Sequence, residues 1–464
     1  MQRGTLATLV LGFMLGCSNP SPDIESLPES SRPERPSEEP KTQPAEKKEL
    51  YSPASETPPP VRQESVKPPE KEQELPLSKL LADAMLALQE DNVDTAYKLA
   101  RQAMSRAGDD PQTRFTYGLV LGKRQRYPEA IRLLDQAGED MPQARLPALG
   151  QTAEWMVKFG RYEEARLRFE KILSSVPGAA MAHENLAKLL IRQGLREETK
   201  SNLEFLSMTG QCDEFLLRSM LCYSKPFPGD AENLLNDPIG SLGMARNLAA
   251  TAQWSEAKKV LNKSEMIGNS TEANAFLGRC YAELMDKDSK PLQLWHEANR
   301  TTALKHADAW YARGTWLYSQ KQFSESLGCF AEAALLDQSN ESTYRRIADC
   351  LKQAGENEKA QQATTRAETV RKTHQLGSEF AASAVRSGSQ LSEMIDALIQ
   401  LRRLDEAICW RELQVDYAVE FGALSKEDAA PIRKQIQAER EGLIEQGRLK
   451  PKAEFVTFGL LTAD

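Results

Sequence analysis

From residue 77 onward a small residue is followed, twelve positions later, by another, and this spacing constrains the fold more than any other feature. Ala84 pairs with Ala96, Gly118 with Ala130, Ala153 with Ala165, and Ala187 with Thr199. Ala245 pairs with Ala257, Gly314 with Ser326, and Ala348 with Ala360. The first members often recur at steps of 34 or 35 residues: 84, 118, 153 and 187, and again 314 and 348. Two helices of three to four turns joined by a short turn occupy about 34 residues. Such helices pack closely where they cross only if the crossing side chains are small. Between the two small residues lie Gly160, Gly194 and Gly355, each suited to the left-handed conformation that ends a helix. A period of this length predicts stacked helical hairpins.

The unit from Ala307 to Asn340 carries the pattern in its fullest form, with Trp310, Gly314, Leu317, Phe323, Phe330 and Ala333. These residues resemble the tetratricopeptide repeat family, a 34-residue helix-turn-helix unit. The family's terminal Pro is replaced here by Gln338 but stands as Pro142 and Pro177 in earlier units. Further units begin near Leu77, Pro111, Leu146, Ala180, Pro238, Thr271 and Glu341, and the second helix of the Thr271 unit is displaced around Ser289-Lys290-Pro291. The resemblance implies an all-α, right-handed superhelical solenoid over residues 77–372, with the first helix of each unit lining a concave surface. Residues 214–237 interrupt it: Asp213–Tyr223 reads as a helix that Pro226 and Pro228 break. Residues 373–464 are expected to add one more hairpin (Leu391–Leu404 and Asp405–Tyr417) and a polar capping helix, Lys426–Gln446. The segment Glu454–Leu461 reads as strand-like.

Upstream of the array the composition changes twice. Arg3, the apolar run Leu6–Leu15 and small Gly16 before Cys17 have the layout of a secretory signal over residues 1–16. Met14-Leu15-Gly16-Cys17 resembles a bacterial lipobox, which implies that Cys17 carries the lipid and becomes the mature N-terminus. Ser18, rather than Asp, then implies the outer membrane, facing the periplasm. Residues 17–76 read as a disordered linker rich in Pro and Glu. After Cys17 this stretch holds 14 of the chain's 25 prolines and carries five of its eight net negative charges. A segment so poor in apolar residues buries too little surface to offset its ordering entropy. Extended, it reaches on the order of 180 Å, enough to hold a folded body off a membrane.

By the resemblance, the second, fifth, ninth, twelfth and thirteenth positions of a unit face inward. Lys123, Lys158 and Arg192 occupy the thirteenth position of three successive units and Lys188 the ninth of the last, with Glu154 and Glu184 as partial offsets. Such a stripe suits an acidic peptide segment of a partner protein. The Asn residues of the family's carboxylate clamp are missing at the matching positions. Tyr311 and Tyr318 fall on the same face and could anchor a peptide or pack on the neighbouring helix. The tryptophans Trp155, Trp254, Trp310 and Trp316 read as core. Seven cysteines are too few for a disulfide scaffold, and Cys329 with Cys350 is the pair to examine first.

A net charge of -8 argues against general nucleic-acid binding, which needs excess cations. The four histidines form no close metal pair, and neither a phosphate loop nor a nucleophile elbow is present. No metal, no cofactor and no catalytic set is therefore expected. The sequence reads as a non-enzymatic, lipid-anchored scaffold of the cell envelope that gathers partner proteins along its groove. The alternative is an envelope enzyme, or a component of polysaccharide export or secretion, that uses the repeats as a substrate platform.

Overall fold

The computed structural model describes residues 75–461, apart from 234, 235, 301–303 and 384. Residues 1–16, read above as a signal peptide, Cys17 and nearly all of the stretch read as a linker lie outside the described residues. Every regular element described is a helix, and no described helix is long and apolar enough to cross a membrane.

The chain divides into two compact units, residues 1–147 and 148–464. In the first, α1 (Leu77–Gln89) and α2 (Val93–Arg106) form one hairpin, and α3 (Pro111–Lys123) and α4 (Tyr127–Asp140) the next. A 3-10 turn, Pro142–Ala144, follows. Helix α5 (Arg145–Lys158) carries the chain into the second unit and pairs with α6 (Tyr162–Ser175). Then come α7 (Ala180–Gln193) with α8 (Arg196–Thr209), and the irregular pair α9 (Glu214–Leu221) and α10 (Pro228–Glu232). Regular pairing resumes with α11 (Gly240–Ala250) and α12 (Trp254–Asn262), and the short α13 (Met266–Asn269) leads to α14 (Thr271–Glu283) and α15 (Lys290–Ala298). The last full units are α16 (Ala307–Ser319) with α17 (Phe323–Leu336) and α18 (Glu341–Gln353) with α19 (Asn357–Ala382). After these come α20 (Gly388–Gln400), α21 (Leu404–Glu420), α22 (Lys426–Glu445) and α23 (Ala453–Val456).

The helix starts fall within two residues of the unit starts expected from the small-residue spacing. The crossing residues behave as that spacing requires. Ala84, Ala96, Ala153, Ala165, Ala187, Ala245 and Ala257 are fully buried. Ser326 donates from its Oγ to the Gly314 carbonyl at 2.8 Å, and a Cβ on Gly314 would meet the Phe330 ring at 2.9 Å.

Eight hairpins share one turn. A residue with positive φ stands two positions before the second helix: Asp91, Gln125, Gly160, Gly194, Ala252, Lys321, Gly355 and Arg402. The following amide donates back to the carbonyl five residues earlier, as in Asn92 to Ala87 at 2.8 Å, Gln253 to Leu248 at 2.9 Å and Arg403 to Leu398 at 2.9 Å. This bond satisfies a carbonyl that the end of the first helix would leave unpaired. Only three of the eight turns use glycine, so only those three were visible as turns in the sequence. The turn at Arg402 makes α20–α21 a hairpin of the same kind. The Thr271 unit lacks this turn, and its second helix starts late, at Lys290.

Three expectations change. The boundary after Lys372 falls inside α19, a continuous helix of 26 residues. The Glu454–Leu461 segment is not a strand: α23 and the turn after it lay Val456, Phe458 and Leu460 on the core of α16–α19, where no strand edge exists to pair with. The third change concerns the way the second unit ends. Helices α9 and α10 pack on α19, and α21 packs on α8 and α9. One core joins Leu203 and Leu206 of α8, Leu217 of α9, Phe380 of α19, and Trp410 of α21. The C-terminal hairpin therefore returns to the middle of the second unit. Here α7–α8 has α11 on one side and α9 with α21 on the other.

Candidate functional site

Of the six residues singled out as a groove, Lys188, Arg192 and Tyr311 are engaged within the fold. Lys123 ends α3 in the first unit, half exposed, with Nζ 3.4 Å from Asp91 Oδ1. Lys158, Lys188 and Arg192 belong to the second unit. Lys158 is exposed at the end of α5. One turn earlier, burial pushes the Glu154 carboxyl above its usual range against the pull of Lys158. Lys188 is already neutralised, at 2.6 Å from Glu184 and 2.7 Å from Asp213. Arg192 donates from Nε to the Asp237 carbonyl at 2.9 Å and lies 5.9 Å from the Tyr162 ring, so it pins the connection into α11. Tyr311 is only 5% exposed, held between the Arg279 guanidinium (3.7 Å) and Phe330 (5.7 Å), and presents no ring to a ligand. Tyr318 remains partly exposed beside Phe323 and Arg346. Trp155 is buried, and the six described cysteines, Cys329 and Cys350 among them, are unbridged thiols.

Two buried ionic clusters were not expected. The first ties α8, α11, α14 and α16 together. Arg246 donates to Glu272 at 2.9 Å, to Asp308 at 3.2 Å and to the Gly194 carbonyl at 2.8 Å. Glu272 in turn accepts from the backbone amide of Arg196 at 2.8 Å, an anion at the start of α8 where the helix dipole favours one.

The second cluster lines a cavity of about 350 Å³ among α8, α9, the α17–α18 connection, the start of α21 and the Lys450–Pro451 loop. Arg403, Asp405 and Glu406, all about 95% buried, stand on one wall. Arg403 donates from Nε and Nη2 to the two Glu406 oxygens at 2.6 and 2.7 Å, and from Nη2 to the Met220 carbonyl at 2.8 Å. Its Nη1 has no partner. Burial pushes Glu406 up to about 7, with Arg403 opposing, and also raises Asp405, which accepts from Ser207 Oγ at 3.3 Å. On the other walls Lys450 meets Glu204 at 2.6 Å, and Lys200 donates to Glu197 at 2.5 Å and to the Leu336 carbonyl at 2.6 Å. The Gln338 carbonyl oxygen, Oε1, is buried and unpaired.

Sequence reasoning passed over this chamber because Asp405-Glu406 has the same form as Glu163-Glu164, a solvated start of a second helix. Only the return of α21 onto α8 buries it. The one available signal was Ala407 in the small position, which marked a hairpin but not what it docks on. Among the described residues no group of three His, Cys, Asp or Glu side chains is placed to hold a metal.

No protein-family model and no curated protein matches the sequence. Solved structures similar to it include a tetratricopeptide repeat protein from Parabacteroides merdae, 13% identical, covering 59% of this chain and 98% of that one, with a TM-score of 0.27. The Cut9–Hcn1 hetero-tetramer structure is 14% identical over 79% of this chain and 86% of that one, with a TM-score of 0.26. The structure of Naa15/Naa10 bound to HypK is 14% identical over 82% and 54%, with a TM-score of 0.26. At these scores the likeness carries no argument about function. On helix spacing, crossing residues and the shared turn, the stacked hairpins among the described residues resemble tetratricopeptide repeats.

Proposed function

We propose that the chain is a non-enzymatic protein-interaction scaffold, tethered by lipid on Cys17 to the bacterial outer membrane and facing the periplasm. The observation that supports scaffolding is the repeated hairpin itself: one turn, used eight times among the described residues, joins the two helices of each hairpin in the same way. Stacked hairpins of this kind suit extended protein partners better than enclosed chemistry. Lys158, Lys123 and the exposed part of Tyr318 are the best contact residues of the original set, because Lys188, Arg192 and Tyr311 are occupied within the fold. For tethering, support comes from the apolar run ending at Gly16-Cys17 and the proline-rich acidic stretch behind it.

Metabolic palmitate labelling with a Cys17→Ser control tests the anchor. The label is expected on the parent chain and absent from the variant; label that persists in the variant removes the anchor from the account. Cross-linked affinity purification tests the scaffold. Partners recovered with the parent chain should weaken when Lys123 and Lys158 are both reversed to Glu.

A further inference from the structure

Two of the unbridged thiols meet where the C-terminal hairpin returns. Cys212 is half-buried in the connection between α8 and α9, and Cys409 is buried within α21. Cys409 belongs to the core that receives the returned hairpin, and Cys212 packs against that core. The Cys409 thiol donates to the Ser207 carbonyl at 3.3 Å, and Nη2 of Arg440 stands 3.8 Å from its sulfur. The same sulfur shares a side-chain hydrogen bond with the Cys212 thiol. Cys350, by contrast, donates to Ser326 Oγ at 3.7 Å. A buried cysteine commonly acts as a small hydrophobe. What separates this pair is that its thiols touch across a seam between segments far apart along the chain. Residues 211–213 belong to no helix, so the Cys212 backbone can yield as the sulfurs close to the roughly 2 Å of an S–S bond. The Ser207 carbonyl, on losing the Cys409 thiol, keeps the Gly210 amide at 3.3 Å.

We propose that Cys212 and Cys409 form a disulfide that locks the returned C-terminal hairpin to the α8–α9 connection when the chain meets a disulfide donor. The Cys212 thiolate attacks one donor sulfur, a mixed disulfide forms, and the first donor thiol leaves with a proton. The Cys409 thiolate then attacks the Cys212 sulfur and releases the second donor thiol. Two protein thiols are oxidised, and one donor disulfide is reduced to two thiols. Contact with Cys409 and burial hold the Cys212 thiol far above its usual range, in the unreactive protonated form. Exchange therefore runs while the chain folds or when α21 undocks, and not within the closed core. Once formed, the link closes a loop over more than half of the second unit, and long loops are where closure entropy counts for most. Formation in cells rests on the envelope placement proposed above, because cytosolic thiol pools keep such pairs reduced. The capacity to form the bond does not rest on it.

The test takes the purified full chain, unfolded and reduced, and refolds it in glutathione buffers of graded ratio. Free thiols are then alkylated and the peptides mapped by mass spectrometry. The expected product carries a Cys212–Cys409 linkage that persists at about a tenfold excess of reduced over oxidised glutathione. The linked form should melt at least about 5 °C above the reduced form. Cys212→Ala should lose both the linkage and that difference, and should melt close to the reduced parent chain. If Cys212→Ala fails to fold, the peptide map and melting of the parent chain decide alone. The proposal is overturned if Cys212 and Cys409 stay alkylated at every ratio or if they pair with other cysteines. It is also overturned if the linked form melts no higher than the reduced one. Failure of the palmitate label on Cys17 would instead remove the envelope placement, while the glutathione result still decides the linkage.

Discussion

At the scale of single residues, the shared hairpin turn sets a backbone requirement that side chains meet unequally. Gly160, Gly194 and Gly355 adopt positive φ freely, whereas Asp91, Gln125, Ala252, Lys321 and Arg402 hold φ near 60° at a steric cost. Ala252→Gly should therefore raise stability by about 0.5–1 kcal/mol, read as a shift in the denaturant midpoint. Close approach has the opposite consequence. A Cβ on Gly243 would overlap the Arg192 carbonyl oxygen, a backbone atom that has no room to yield. Gly243→Ala should cost about 3 kcal/mol. Gly328→Ala, on an exposed face of α17 with open space at its Cβ, should instead gain about 0.5–1 kcal/mol. The twelve-residue spacing was legible in the sequence because steric exclusion at a crossing admits so few residue types. Arg403, Asp405 and Glu406 were illegible because a buried ion pair and a solvated one use the same letters.

At the scale of helices, α19 shows what periodicity alone leaves out. Its first half completes a repeat, with Ala360 and Ala363 buried in the hairpin core. Its second half continues past Lys372 and serves α9 and α10 instead, with Gly377 against the Phe227 ring. His374 fastens this extension by donating from Nε2 to the Leu221 carbonyl at 3.0 Å. Burial lowers His374 below its usual 6.5. A depressed histidine binds its proton more readily in the unfolded chain, so its contribution is complete above pH 6.5 and is lost as the pH falls through the lowered value. On acidification below 6.5 the difference in denaturant midpoint between the parent chain and His374→Gln should therefore shift against the parent chain. His296 and His306, lowered for the same reason, act in the same sense, and Glu406, Asp405 and Glu272, raised by burial, act against them. Arg440 plays a similar part for α22: 1% exposed, it meets Glu412 at 2.5 and 2.8 Å and lies against Gly210. Arg440→Ala should destabilise the fold by about 3 kcal/mol, because it leaves a carboxylate without its partner.

At the scale of the whole chain, charge and cohesion reside in different places. Five of the eight net negative charges belong to the stretch between Cys17 and the first helix, so the repeat body is close to neutral. Its second unit is held by more than neighbour-to-neighbour stacking. Arg403, the residue before α21, and Cys409 within it bond to the Met220 and Ser207 carbonyls at 2.8 and 3.3 Å, 183 and 202 residues back along the chain. Removing residues 388–461 should expose the apolar faces of α8 and α9 and lower the melting temperature of the second unit, whereas an ordinary solenoid would lose only its last repeat. The return of the C-terminal hairpin was invisible in the sequence because every hairpin shows the same small-residue pattern whatever it docks on. The central claim, a scaffold for other proteins, is tested most directly by quantitative affinity purification after cross-linking in living cells, comparing the parent chain with Lys123→Glu/Lys158→Glu. The account predicts a reproducible set of proteins enriched on the parent chain and reduced on the variant at equal folded amount. Recovery of no protein above background on the parent chain, or the same set at the same yield on both, would contradict it.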